Sequence, residues 1–122
     1  MTNKLNYSFG KNSITLADGQ LHTYHGLGVA PPYDMLSPIG DIINDPFYIE
    51  EILTNLKNVM EDRLPVYGWG CDMALVESHK EKSIVEYMAD KDGAVGDFYV
   101  EVPTEWLYQL MSDWKKYLEE SV

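Results

Sequence analysis

Cysteine is almost missing from this chain. Cys71 stands alone, so no disulfide forms within one molecule and no cysteine-based zinc site can be assembled from it. A reducing compartment fits that usage. No apolar run approaches the roughly 18 residues that span a bilayer, and the first ten residues, MTNKLNYSFG, lack the apolar centre of a secretory leader. The expected location is therefore the cytoplasm. Cations are scarce as well: nine Lys and Arg stand against twenty Asp and Glu, a formal charge of −11. Such a surface repels nucleic acid and anionic membranes and attracts basic partners. A phosphate-binding glycine loop is absent, since Gly68 and Gly70 lead into an apolar run of strand type rather than a helix.

What is present suffices for a globular core. The chain has 122 residues, of which 45% are hydrophobic, including nine Tyr, three Trp and three Phe. That is the length of one domain and too apolar for disorder. Apolar runs over residues 66–78, 83–89 and 98–102, separated by polar or glycine-containing segments, predict a β-meander. Phe98, Val100 and Val102 alternate with Tyr99 and Glu101, and Val85, Tyr87 and Ala89 alternate with Glu86, as strands with one buried face require. The unbroken run of Met73, Ala74, Leu75 and Val76 predicts a central strand covered on both faces.

Upstream, residues 5–9 and 13–17 predict two short strands separated by a turn at Gly10, Lys11 and Asn12. Asp18-Gly19 then predicts a tight type I′ hairpin leading into residues 20–24. Residues 26–40, with three prolines and three glycines, predict an irregular connection. Asp45-Pro46 is a helix start, with an acceptor at the cap and no N–H to orphan at the next position. Ile49, Ile52, Leu53, Leu56 and Met60 would line the buried face of a helix running to about Asp62. Pro103, Thr104 and Glu105 open a second helix with Leu107, Leu110, Met111, Trp114 and Leu118 on one face. The expected fold is a single α+β (α/β) domain over residues 1–122, a mainly antiparallel sheet packed by two amphipathic helices.

Catalytic and metal signatures are weak. His22 and His25 are three apart on a strand and face opposite ways, and no third ligand accompanies them. Asp90, Asp92 and Glu101 match positions 1, 3 and 12 of a calcium loop, but Ala94 and Val95 stand where an oxygen ligand and a glycine belong. Cys71 with His79 lacks an orienting third group, and Glu77 with Glu86 is a glycosidase-like pair by residue type alone. No catalytic, cofactor-binding or metal residue is assigned, and a non-enzymatic protein is expected. The remaining pattern is aromatics beside carboxylates in or near loops: Tyr33, Asp34, Asp41, Asp45, Trp69 and Asp72, the candidate partner contacts. Tyr and Trp anchor interfaces and clustered carboxylates steer basic partners.

The small acidic single domain, the tail from Val102 through Pro103, Thr104, Leu107 and Leu110 to Trp114 and Leu118, and Tyr67-Gly68-Trp69-Gly70 entering a strand together resemble bacterial immunity proteins of the contact-dependent inhibition or polymorphic-toxin kind. The tail is similar to the PTxxLxxLxxxW endings of such families and covers about a sixth of the chain. The resemblance implies a protein that binds the toxic C-terminal domain of a cognate toxin, often a nuclease with a basic cleft, and blocks its active site or substrate groove. No cofactor is expected, and the charge and the lack of a long apolar run lead to the expectation of no direct contact with nucleic acid and no membrane. The alternatives are a small acidic regulatory or adaptor protein with a different partner, or a small hydrolase.

Overall fold

The computed structural model of the chain describes residues 5–71, 74–87 and 99–120. The elements follow the order β1 (Tyr7–Thr15), β2 (Leu21–Val29), a 3-10 turn (Asp34–Leu36), α1 (Ile39–Ile42), α2 (Pro46–Met60), β3 (Tyr67–Cys71), β4 (Ala74–Ser78), β5 (Lys82–Tyr87), β6 (Tyr99–Pro103) and α3 (Thr104–Glu120). Strands β1 and β2 form a two-stranded antiparallel sheet; β3-β4-β5-β6 form a four-stranded antiparallel meander. The fold is α+β. Among the described residues no helix is long and apolar enough to cross a membrane.

Helix α2 begins as its sequence requires: Asp45 caps it by accepting from the Phe47 N–H at 3.0 Å, and Pro46 takes the first helical position. Its buried face is Ile49, Ile52, Leu53, Leu56 and Val59. Met60, predicted on that face, is only half-buried, because Val59 already fills the inward position one turn beyond Leu56. Helix α3 buries all five predicted residues together with Trp106. Trp114 is fully enclosed, donates its indole N–H to the Ile43 carbonyl at 2.7 Å and stacks on Tyr117.

The register sets the inner face of the meander in cross-strand rows. Trp69, Val76, Val85 and Val100 make one; Tyr67, Ser78, Ser83 and Val102 make the next. The buried hydroxyls of that second row are satisfied. Ser83 Oγ lies 2.7 Å from Ser78 Oγ and 2.9 Å from Thr104 Oγ1, and Thr104 donates to the His79 carbonyl at 2.5 Å. Trp69 donates its indole N–H to Ser78 at 3.0 Å, so each inward polar group has a partner.

Several expectations give way. The turn predicted at Gly10, Lys11 and Asn12 is the middle of one continuous strand: Gly10 pairs with Gly26 and Lys11 with His25 in a nine-rung ladder. Pairing with β2 outweighs the local turn preference of those residues. The hairpin closes at Asp18 and Gly19 as expected, but through a three-residue loop rather than a two-residue type I′ turn. Gly19 donates to the Leu16 carbonyl at 2.9 Å with φ +86, and Leu16 bonds Gln20 beyond it. The stretch 26–40 is not wholly irregular, since β2 runs to Val29 and α1 follows the 3-10 turn. Gly40 is required there, because a Cβ would sit 2.6 Å from Leu27 Cβ. The run 66–78 is two strands, β3 and β4, paired with each other. Finally β4 is an inner strand but is covered on one face only. Ala74, Val76 and Ser78 are buried and Leu75 and Glu77 exposed, because no described helix packs on the outer face of the strand.

Candidate interaction surface

No described element covers the other face of the meander. Its rows are Gly68, Glu77, Ile84 and Glu101, then Gly70, Leu75, Glu86 and Tyr99. Leu75 and Tyr99 are 54% and 53% exposed, too wet to contribute to the core and large for a surface without a partner. The two glycines leave β3 without side chains, so the face dips there into a recess of about 1130 Å³ bounded by Tyr48, Val66, Leu75, Ile84 and Glu86. Tyr48, from the first turn of α2, closes its end: the hydroxyl donates to the Gly70 carbonyl at 2.9 Å and accepts from the Gly70 N–H at 3.0 Å. Gly70 has φ +124, and a Cβ there would lie 2.1 Å from the Ala74 carbonyl oxygen, so only glycine fits.

Charge rims this apolar centre. Glu77 meets His79 Nε2 at 2.9 Å and Glu101 meets Lys82 at 3.8 Å, while Glu86 has no ion pair among the described residues. Three carboxylates against one lysine leave the face acidic. Beside it, Tyr67 packs near Tyr48, and burial followed by that neighbour holds its phenol above the ordinary value.

The residues singled out from sequence divide. Asp34, Asp41 and Asp45 are exposed on the 3-10 turn, α1 and the α2 cap, while Leu36, Ile39 and Ile43 of the same segment plug the core. From residue 12 to residue 56 no Lys or Arg occurs. Tyr33 is half-buried, with its ring edge-on to Trp106 at 5.7 Å. Trp69 is 5% exposed with its indole N–H committed to Ser78, so it supports the sheet from behind and offers no surface to a partner. Asp72 lies outside the described residues. The same segment is tied to one end of the meander: the Tyr87 hydroxyl donates to the Met35 carbonyl, and Tyr48 holds Gly70. Sequence reading missed Leu75, Glu86 and Tyr99, which share a face only once the register is known.

No family model, curated protein or solved structure matches this chain. The chemistry must therefore be read from the surface itself. Among the described residues no three His, Cys, Asp or Glu side chains gather to hold a metal. Ser78 and Ser83 are fully buried, beyond reach of a substrate. His25 contacts the Tyr117 hydroxyl at 3.0 Å through Nδ1, which fixes the ring against α3. Asp90 and Asp92 of the calcium-like pattern lie outside the described residues, and Glu101 pairs with Lys82. Glu77 and Glu86 are both exposed on the open face, outward from β4 and β5. The exposed apolar centre and its carboxylates make this face the candidate interaction surface among the described residues.

Proposed function

We propose that this protein is a non-catalytic inhibitor that binds a basic partner, the toxic domain of a cognate bacterial toxin, in the cytoplasm. The observation that carries the reading is the open meander face, where Leu75 and Tyr99 stand exposed beside Glu77, Glu86 and Glu101 in a chain of formal charge −11. Desolvated aromatic and aliphatic side chains supply most of the binding energy at an interface, and like-signed charge around them accelerates encounter with an oppositely charged partner. Asp34, Asp41 and Asp45 extend the acidic field and steer from a distance within a Debye length. A toxin that cleaves nucleic acid must present a basic groove to its substrate, and a carboxylate-rimmed face competes for that groove.

The test is direct. Purified protein should form a one-to-one complex with the toxin domain encoded beside it and abolish that domain's activity. Failure to bind or to neutralise it would remove the assignment. Asp34→Asn with Asp41→Asn should slow association severalfold at low salt and flatten its salt dependence. An unchanged association rate would place the steering charges elsewhere.

A further inference from the structure

Strand β3 ends the four-stranded meander, so β4 pairs with only one of its edges. Gly70 shows which backbone groups face the other edge. It spends its N–H and its C=O on the Tyr48 hydroxyl, at 3.0 and 2.9 Å, and so turns both away from β4. Along an antiparallel ladder this orientation recurs at every second residue. Gly68 therefore presents its own N–H and C=O to the outer edge, where it is exposed and has no partner for them among the described residues. Val66, 41% exposed, continues that edge.

An edge strand is usually guarded against further pairing by a charge, a proline or a covering element. From Tyr67 to Cys71 there is no Lys, Arg, Asp, Glu or Pro. Tyr48 guards the edge at Gly70 and leaves it open at Gly68. The outer face beside the opening is specific too. The row that crosses the sheet at Gly68 continues through Glu77 to Ile84 and Glu101. A Cβ on Gly68 would meet only the Val76 carbonyl oxygen, 4.0 Å away, so the lane from the edge to Glu77 is bare backbone. A strand added outside β3 would stand two strand spacings from Glu77, roughly 10 Å, which a Lys or Arg and a Glu side chain span together.

We propose that β3 accepts an antiparallel strand of the partner at Gly68, and that a Lys or Arg opposite Gly68 lies across it to Glu77. The inference rests on the inhibitor reading above and names what is recognised in the toxin domain: an exposed, extended segment carrying a cation at one position. Charge selects this occupant. Glu77 stands at the end of the lane, and Glu86, in the adjacent row, has no ion pair among the described residues. The His79 contact of Glu77, at 2.9 Å, is exposed, so an incoming guanidinium can replace it. A second copy on the same edge would set Gly68 against Gly68 and aim two Glu77 side chains along one lane, with no cation in either β3 to answer them.

Site-resolved amide hydrogen exchange, read by NMR on the wild type alone and in complex with the toxin domain encoded beside it, tests the pairing. The Gly68 N–H should exchange at least about tenfold more slowly in the complex, while the Gly70 N–H, already held by Tyr48, should keep its rate. Gly68→Pro deletes an N–H that β4 does not use and should weaken binding about three- to tenfold. Glu77→Gln should weaken it about two- to fivefold. The exchange measurement needs no variant, so it decides the matter even where the proline substitution disturbs folding. A complex in which the Gly68 N–H exchanges at its free rate would overturn the strand pairing and leave the inhibitor reading standing. No complex with the wild type would remove that reading, and the proposed occupant with it.

Discussion

Two glycines of β3 with one residue between them should respond oppositely to alanine. At Gly68 an added Cβ has only the Val76 carbonyl oxygen near it, at 4.0 Å, and points into the open recess. Gly68→Ala should therefore be neutral or stabilise by up to about 1 kcal/mol, through the smaller entropy of its unfolded chain. At Gly70 three costs coincide. A side chain at φ +124 costs about 1–3 kcal/mol in backbone strain. The 2.1 Å approach to the Ala74 carbonyl oxygen forces β3 away from β4. That movement breaks the two bonds to the Tyr48 hydroxyl, each contributing about 0.5–1.5 kcal/mol net. Together they amount to about 2–6 kcal/mol, a large part of the stability of a domain this size. The two alanine variants should differ in melting temperature by roughly 15 °C. A coupling test isolates the bridge: Tyr48→Phe should cost about 1–3 kcal/mol in the wild type and close to nothing in the Gly70→Ala background. Equal melting temperatures for Gly68→Ala and Gly70→Ala would refute the geometry assigned to β3 and, with it, the floor of the recess.

Other consequences can be checked with the same purified protein. Trp114→Phe leaves the buried Ile43 carbonyl without its donor and opens a void, so urea denaturation should show a loss of about 2–4 kcal/mol. Leu75→Ser, at a residue 54% exposed, should change stability by less than about 0.5 kcal/mol, while Val76→Ala next to it, 3% exposed, should cost about 1–3. Burial holds the Tyr87 phenol well above its ordinary value, and burial with the Asp113 carboxylate does the same for Tyr7. The raised folded values mean that both contributions are complete below the unfolded phenol value near 10 and are lost as pH climbs from there. Each fully buried phenol would contribute about 1.4 kcal/mol per pH unit, and these partly solvated rings less, so denaturation curves should weaken above about pH 10 and Tyr87→Phe should flatten the decline.

The sequence carried the helices well because each of their signals is local. Asp45 and Pro46 begin α2, and the apolar stripe of α3 needs no knowledge of what it meets. Strand signals are half local. Alternation in β5 and β6 placed Val85, Val100 and Val102 inward correctly, but Leu75 in a run of apolar neighbours looked buried on both sides when it stands 54% exposed on a face that no described element covers. Gly10, Lys11 and Asn12 looked like a turn because their preferences are read without β2, and the ladder that overrules them is a long-range fact. The candidate surface was illegible for the same reason. Glu77, Glu86, Leu75 and Tyr99 become neighbours only through the register of three strand pairs, while the loop aspartates could be noticed one at a time. Trp69 has the composition of an interface anchor and the position of a core residue, and only burial separates the two.

The account rests on the open meander face, and one titration tests it most directly. Calorimetry of the proposed partner, a toxin domain encoded beside this protein, with the wild type, with Leu75→Arg and with Glu86→Gln would compare the apolar centre and a rim carboxylate without an ion pair among the described residues on one scale. Leu75→Arg should weaken binding by at least about tenfold while the melting temperature stays near that of the wild type, and Glu86→Gln by about two- to fivefold. Wild-type binding with unchanged affinity in both variants would contradict the account and move the interface off this sheet.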